Sequence, residues 1–367
     1  MHPTRAPFLP PEILLLIATH LEPLDQICLL QVFPRIASLF NFQQFASTDE
    51  NGNTILHLQA QANPAPEASI APGVNIPFFP SILDCSQGDI LHPQNQDGRT
   101  PLMDAALAGN IPFMQRLLDK DPGGINMTSQ HGATALWYAV SGKSAPATAL
   151  LLEQPSIDVN HQLTEGEGRD AYQTTPFTHA LWHGWGEYDI ISLFIKHPET
   201  DLTFPDSRGE TAIHLAIEKK REDLVRDMLE CGRLDVNAAW GNGRTALYTA
   251  AGHGEVRFVK LLLAQDGIDV NQPTRTGETP LMRTQSPRCM KLLLAHPGIK
   301  VDLVDDFGWS ALGYTAYRGH LGCAHVLLRH GARPDLVDLD GFTPRDRAEQ
   351  AKQWDMVKLL EGVMGQK

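Results

Sequence analysis

The stretch "NGRTALYTAAGHG" (residues 242–254), followed by "VKLLLAQDGIDVN" (259–271), carries the key to the fold. Its glycine supplies the positive φ that a tight turn needs, and the threonine two residues on can accept from the free N–H groups of a helix starting just after it. A short helix, a tight connection and a second helix complete the unit. Such a unit cannot bury its apolar face alone, so it predicts neighbours built the same way.

Those neighbours are present. "DGRTPLMDAALAG" (97–109), "HGATALWYAVSG" (131–142), "RGETAIHLAIE" (208–218), "TGETPLMRT" (276–284), "FGWSALGYTAYRG" (307–319) and "DGFTPRDRAEQA" (340–351) align on Gly, on Thr or Ser, and on an apolar residue. Thr100, Thr134, Thr175, Thr211, Thr245, Thr279, Ser310 and Thr343 mark the phase, at intervals of 34, 41, 36, 34, 34, 31 and 33 residues. Pro101, Pro176, Pro280 and Pro344 follow the marker directly, where the first helical turn accepts proline.

This period and wording resemble the ankyrin repeat, and "TAIHLAIE" (211–218) is close to that family's T-P-L-H-x-A phrase. The resemblance covers roughly residues 49–367. It implies that His57 and His214, at the His of that phrase, hydrogen-bond between neighbouring loops. It also implies that partners bind on the turn fingers and on the concave face made by the first helices.

Some copies depart from the pattern. "NGNTILHLQAQ" (51–61) reads as a first repeat interrupted by "ANPAPEASIAPGVNIPFFP" (62–80), an exposed loop ahead of a weak second helix near Ile82 to Cys85. "TEGEGRDAY" (164–172) precedes a copy without its turn glycine and predicts a lengthened finger. The last copy carries Arg345, Asp346 and Arg347 in place of apolar residues, as expected of a repeat that no neighbour covers.

A different pattern stands in front. "LPPEILLLIATHL" (9–21) is apolar nearly all round, and "PLDQICLL" (23–30) and "RIASLF" (35–40) read as two further short helices. Leu9, Pro10, Glu12, Ile13, Ile17, Leu21, Asp25, Leu29, Val32, Arg35 and Leu39 resemble the F-box, and the combination with ankyrin repeats resembles a group common in filamentous fungi. That resemblance implies docking of Leu9, Pro10, Ile13, Ile17 and Leu21 on the linker subunit of an SCF-type (cullin-RING) ubiquitin ligase. The same residues could instead cap the first repeat. Ile13, Ile17 and Leu21 are partly exposed in the first case and buried in the second.

The expected architecture is an all-α solenoid of helix–turn–helix repeats with hairpin fingers, preceded by a small three-helix unit. Residues 1–46 form the F-box-like unit, 47–92 a degenerate first repeat with its proline-rich insertion, and 93–367 an array of about eight repeats closed by a polar cap.

Composition narrows the partners. The 367 residues carry a formal charge of -13 without a dense basic run, which disfavours nucleic acid and anionic membrane. No apolar run approaches the roughly 20 residues of a membrane span, and the start lacks an unbroken secretory core. Five scattered cysteines without CxxC spacing fit reduced thiols in cytosol or nucleus. The chain is expected to be monomeric by itself.

In the register set by Thr, the fingers and concave face place Arg99, Trp182, His183, Trp240, Arg244, His253, Phe307, Trp309, Tyr317, Arg318 and Phe342 where a protein target would touch. Aromatic and arginine side chains dominate interface energetics. His179 and His183, four apart on one helix face, are the only metal candidates, but H-E-x-x-H would need Glu at 180, where Ala stands. No catalytic residue and no cofactor is assigned. Three readings remain: a ligase adaptor whose array captures the target, a stand-alone scaffold, and a small-molecule or enzymatic site in a groove lined by Trp182, Trp240 and Trp309.

Overall fold

A computed structural model of the chain describes residues 11–18, 20–23, 25–26, 29, 48–61, 91–165, 172–183, 188–206 and 209–365. The described residues are mostly helical, and they fall into two compact units, 1–200 and 201–367.

In the first unit, helix α1 (Pro11–Ala18) precedes α2 (Ile55–Gln61), α3 (Pro101–Ala108), α4 (Ile111–Lys120), α5 (Ala135–Ser141), α6 (Ala145–Leu152), α7 (Pro176–His183) and α8 (Tyr188–Lys196). Helices α2, α3, α5 and α7 stack in one layer, and α4, α6 and α8 in the other. The second unit repeats the arrangement. Its α9 (Ala212–Glu218), α11 (Ala246–His253), α13 (Pro280–Arg283), α15 (Ala311–Arg318) and α17 (Pro344–Gln350) form the first layer. Helices α10 (Glu222–Glu230), α12 (Val256–Leu263), α14 (Pro287–Leu294) and α16 (Leu321–Arg329) form the second, and α18 (Trp354–Met364) packs on α17.

Side-chain size explains the layering. Ala105, Ala106, Ala139, Ala216, Ala250, Ala251 and Ala316 are fully buried on the first helices and let them approach closely. Phe113, Phe258, Leu262, Leu293 and Leu327 fill the space behind, on the second helices. Burial of a side chain of that size stabilises by about 1.5–3 kcal/mol.

The helix starts follow from the phase marker. Thr100, Thr134, Thr245, Thr279, Ser310 and Thr343 each accept from the N–H three residues on. In several repeats the side chain three residues after the marker reaches back to the marker's own N–H, completing a reciprocal cap. His57 Nδ1 does so at 3.1 Å, Met103 Sδ at 3.3 Å, Thr178 Oγ1 at 2.8 Å, Met282 Sδ at 3.3 Å and Asp346 at 2.9 Å.

The fingers are joined by backbone bonds. Gln96 N donates to Asn51 O at 3.0 Å and Gln130 N to Asp97 O at 2.9 Å in the first unit. In the second, Arg275 N donates to Asn242 O at 2.9 Å, Asp306 N to Thr276 O at 3.2 Å and Leu339 N to Phe307 O at 3.1 Å. The lengthened finger is an antiparallel ribbon, β1 (Leu163–Glu165) on β2 (Tyr172–Thr174), with Leu163 opposite Thr174. A shorter ribbon, β3 (Ala239–Trp240) on β4 (Arg244–Thr245), sets Trp240 opposite Arg244.

At the other end of the sequence, α1 stops at Ala18 rather than running to Leu21 as the apolar run predicts. It is not buried all round either: Leu14 and Ala18 are buried, while Leu16 is 63% exposed and Ile17 39%. Leu21 is half-buried. Leu9, Pro10, the side chain of Ile13, the helix expected over 35–40, half of 23–30, the insertion at 62–80 and the weak helix expected near Ile82 to Cys85 lie outside the described residues.

The closing repeat corrects the expectation of an outward-facing polar helix. Arg345 does pair outward, with Asp346, Glu349 and Glu361. Arg347 is buried against the preceding repeat, held by Asp338 at 2.6 Å and Asp340 at 2.5 Å. Among the described residues Cys231, Cys289 and Cys323 are free thiols, and no helix is long and apolar enough to cross a membrane.

Candidate protein-binding face

In the second unit, the residue three after the marker departs from its capping role at two places, on either side of the repeat that Met282 caps. Tyr248 turns away from Thr245 and donates its hydroxyl to Glu278 in the next repeat. Gly313 has no side chain to cap with, and its neighbour Tyr314 shares its one hydroxyl proton between the other oxygen of Glu278 at 3.0 Å and Asp305 at 2.6 Å. Glu278 is thereby gripped from both sides. Burial, reinforced by these carboxylates, pushes both phenols well above their ordinary range, so they stay protonated as donors.

Around this bridge runs a series of guanidinium–ring contacts. Arg244 lies 5.9 Å from the ring centres of both Trp240 and Tyr248, and Arg283 lies 5.8 Å from that of Tyr248. Arg318 is 4.8 Å from Tyr314 and also donates to Met282 O at 3.2 Å. Arg347 is 4.6 Å from Trp309 and 4.7 Å from Phe342. Trp309 packs further on Tyr314 and Tyr317, ring centres 5.1 and 5.4 Å apart.

Tyr248, Trp240, Arg244, Arg283 and His214 line a cavity of about 110 Å³. The buried His214 is fixed by its neighbours: Nδ1 is 2.8 Å from Thr211 Oγ1, and the ring meets Trp240 edge-on at 5.6 Å. Burial pulls the pKa of His214 down to about 3, so it is neutral at physiological pH.

The sequence-predicted residues divide into several groups. Trp240, Arg244, Trp309, Tyr317, Arg318 and Phe342 belong to the two clusters just described. His253 is exposed beside the cavity. Phe307 is 61% exposed at a finger tip and is joined to Leu339, 79% exposed, on the next finger.

In the first unit, Arg99 spends its charge internally, on Asp97 at 3.1 Å and on buried Asp104 at 3.5 Å, while its carbonyl meets His57 Nε2 at 2.8 Å. Burial lowers the pKa of His57 and raises that of Asp104. The histidine thus links neighbouring loops as the repeat phrase implies. Trp182 is half-buried, and the side chain of His183 lies outside the described residues.

His179 packs on its neighbours. Its ring sits 4.1 Å from Trp137 and its Nε2 lies 3.3 Å from Ser141 Oγ. No grouping of His, Cys, Asp and Glu suited to a metal occurs among the described residues. Of the three tryptophans expected to line a groove, Trp240 lines this cavity.

Tyr248, Glu278, Arg283, Tyr314 and Asp305 escaped the sequence reading. The available signal was at residue 248, where a large phenol replaces a capping side chain.

The family model described as ankyrin repeats (3 copies) matches residues 75–163, 231–302 and 283–363, more than half of the chain. The chain belongs to the ankyrin-repeat family. Neurogenic locus notch homolog protein 1 of Mus musculus is 32% identical over 157 residues, 42% of this chain and 6% of that protein. Inversin of Mus musculus is 32% identical over 164 residues, 43% of this chain and 15% of its own length. Tyrosine-protein kinase HTK16 of Hydra vulgaris is 30% identical over 158 residues, 41% of this chain and 21% of the kinase. The chain thus spans a small fraction of these relatives. Ankyrin repeats make it a protein–protein interaction module.

Proposed function

We propose that this ankyrin-repeat protein is a recruiting adaptor of an SCF-type ubiquitin ligase, whose array holds the target while the N-terminal F-box-like segment docks on the ligase linker subunit. The observation that carries the docking half is the exposure of Leu16 and Ile17 on α1, next to buried Leu14 and Ala18. An apolar pair left open on a short helix supplies the contact area a partner would cover. The target-binding half is supported by the arginine and aromatic side chains displayed by the second unit, the residue types that dominate hot spots.

A small-molecule role has less support. The cavity beside Tyr248, at about 110 Å³, falls below the roughly 300–1,000 Å³ of ordinary ligand pockets. It suits one side chain of a partner. Free Cys231, Cys289 and Cys323 fit a protein working in cytosol or nucleus.

The test is co-purification of the linker subunit with the full chain and with a Leu16→Asp, Ile17→Asp double variant, with circular dichroism to establish that the array is folded. Linker bound to the parent and lost from the folded variant is the expected result. No linker on the parent would leave a stand-alone scaffold.

A further inference from the structure

We infer that the cavity beside Tyr248 receives the side-chain carboxylate of an acidic segment in the recruited protein, an inference that rests on the array being a protein-binding surface. The argument starts from where each arginine of these clusters puts its charge. Arg99 is paired with Asp97 and Asp104, and Arg347 with Asp338 and Asp340. Arg318 donates to a backbone carbonyl. Arg244 and Arg283 differ: the first lies over Trp240 and Tyr248 and the second over Tyr248, and among the described residues neither guanidinium has an ion pair or a hydrogen bond. The nearby carboxylate that could have neutralised them, Glu278, is committed to Tyr248 and Tyr314.

Two guanidiniums therefore line one small cavity without a carboxylate of their own, and planar guanidinium forks match a carboxylate.

The opposite occupant, a lysine or arginine of the partner, fits poorly. The ring faces that would hold it already carry Arg244 and Arg283. Glu210 and Glu218, which also line the cavity, have interactions of their own. Those two glutamates oppose a doubly charged phosphate more than a singly charged carboxylate.

Gly252 adds a second line of support. A Cβ there would stand 3.0 Å from Cγ and 3.1 Å from Nε of Arg283, so the absence of a side chain lets the arginine stem lie against α11 and reach Tyr248.

The test is a random-peptide library selected on the full chain and counter-selected on an Arg244→Gln, Arg283→Gln variant shown to be folded by circular dichroism. Surviving peptides should share one Asp or Glu. Replacing it by Asn or Gln should weaken binding at least tenfold to the parent and leave binding to the variant unchanged. Gly252→Ala, which alters no charge, should also weaken binding several-fold by displacing Arg283. Survivors without a shared acidic position, or a pool that binds parent and variant alike, would overturn the inference and leave the protein-binding reading standing. So would a tenfold gain when phosphoserine replaces the acidic residue, because the cavity would then read phosphate. No enriched peptide at all would sink both.

Discussion

The guanidinium of Arg347 lies 4.6 Å from the centre of the Trp309 indole, so the closing repeat clamps the finger of the repeat before it. The same group holds Asp338, whose side chain is only 5% exposed. Burial alone would raise that carboxyl, but the hydrogen bonds from Arg347 and from the Phe342 N–H keep its pKa below the usual value. Replacing Arg347 by Ala strands a buried carboxylate, a change that typically costs about 3–5 kcal/mol. Arg347→Lys restores a charge without the fork and should recover part of the loss. Urea midpoints of the three proteins check this, and equal midpoints for parent and Arg347→Ala would show the clamp to be idle.

Two finger glycines predict unequal responses to the same substitution. Gly277 has a φ of +80°, and a Cβ on it would stand 2.8 Å from Asp305 Cα and from Asp306 N, both backbone atoms that cannot swing aside. Gly341 has a φ of +86° but nothing within 4 Å of the same position. Gly341→Ala should therefore cost only the left-handed backbone, about 1–2 kcal/mol. Gly277→Ala should cost that and a further separation of neighbouring fingers. Thermal melts that rank the two equally would remove the steric half of the argument.

These positions also show what sequence could and could not deliver. The repeat was legible because turn glycine, capping Thr and small first-helix residues are each dictated by local geometry and recur with every unit. The lengthened finger at 163–174 was legible for the same reason, as an interruption of a known period. The link between Tyr248 and Glu278 was not, since nothing local ties residue 248 to the next repeat. Arg347 was misread as solvent-facing because its charge was weighed without the two aspartates that the fold brings to it. Similarly, Arg99 and Arg244 occupy the same place in the repeat phrase, and only three-dimensional pairing separates the neutralised guanidinium from the open one.

Asn237 illustrates how the second phrase of each repeat contributes. Its Nδ2 donates to Gly267 O at 2.8 Å and its Oδ1 accepts from Asp269 N at 2.8 Å, stapling one repeat to the next. Asn271 does the same to Gly298 O at 2.7 Å and Lys300 N at 2.9 Å. Both sites are solvent-accessible, so water replaces part of what is lost. Asn237→Ala should cost about 1–2 kcal/mol, two hydrogen bonds at the usual net value. Nearest-neighbour coupling in a repeat array predicts that the Asn237→Ala, Asn271→Ala pair loses at least the sum. A double variant as stable as either single one would argue against the staple.

His214 sets an acid limit on the second unit. Its pKa is about 3 in the fold, chiefly through burial, against an ordinary value of 6.5. A histidine held below its unfolded value leaves the unfolded chain with the extra proton. The associated stability is therefore complete above pH 6.5 and erodes as pH falls from 6.5 towards 3. The slope is about 1.4 kcal/mol per pH unit, or about 2 kcal/mol lost by pH 5. His57, also lowered by burial, acts in the same direction in the first unit. His214→Gln should be less stable at pH 7.5, because the contact with Thr211 and the packing on Trp240 are disturbed, yet should lose less between pH 7.5 and 5 than the parent. Urea titrations followed by tryptophan fluorescence at the two pH values decide it. Parallel losses in parent and variant would mean that another group carries the acid sensitivity and that His214 is not held neutral by the fold.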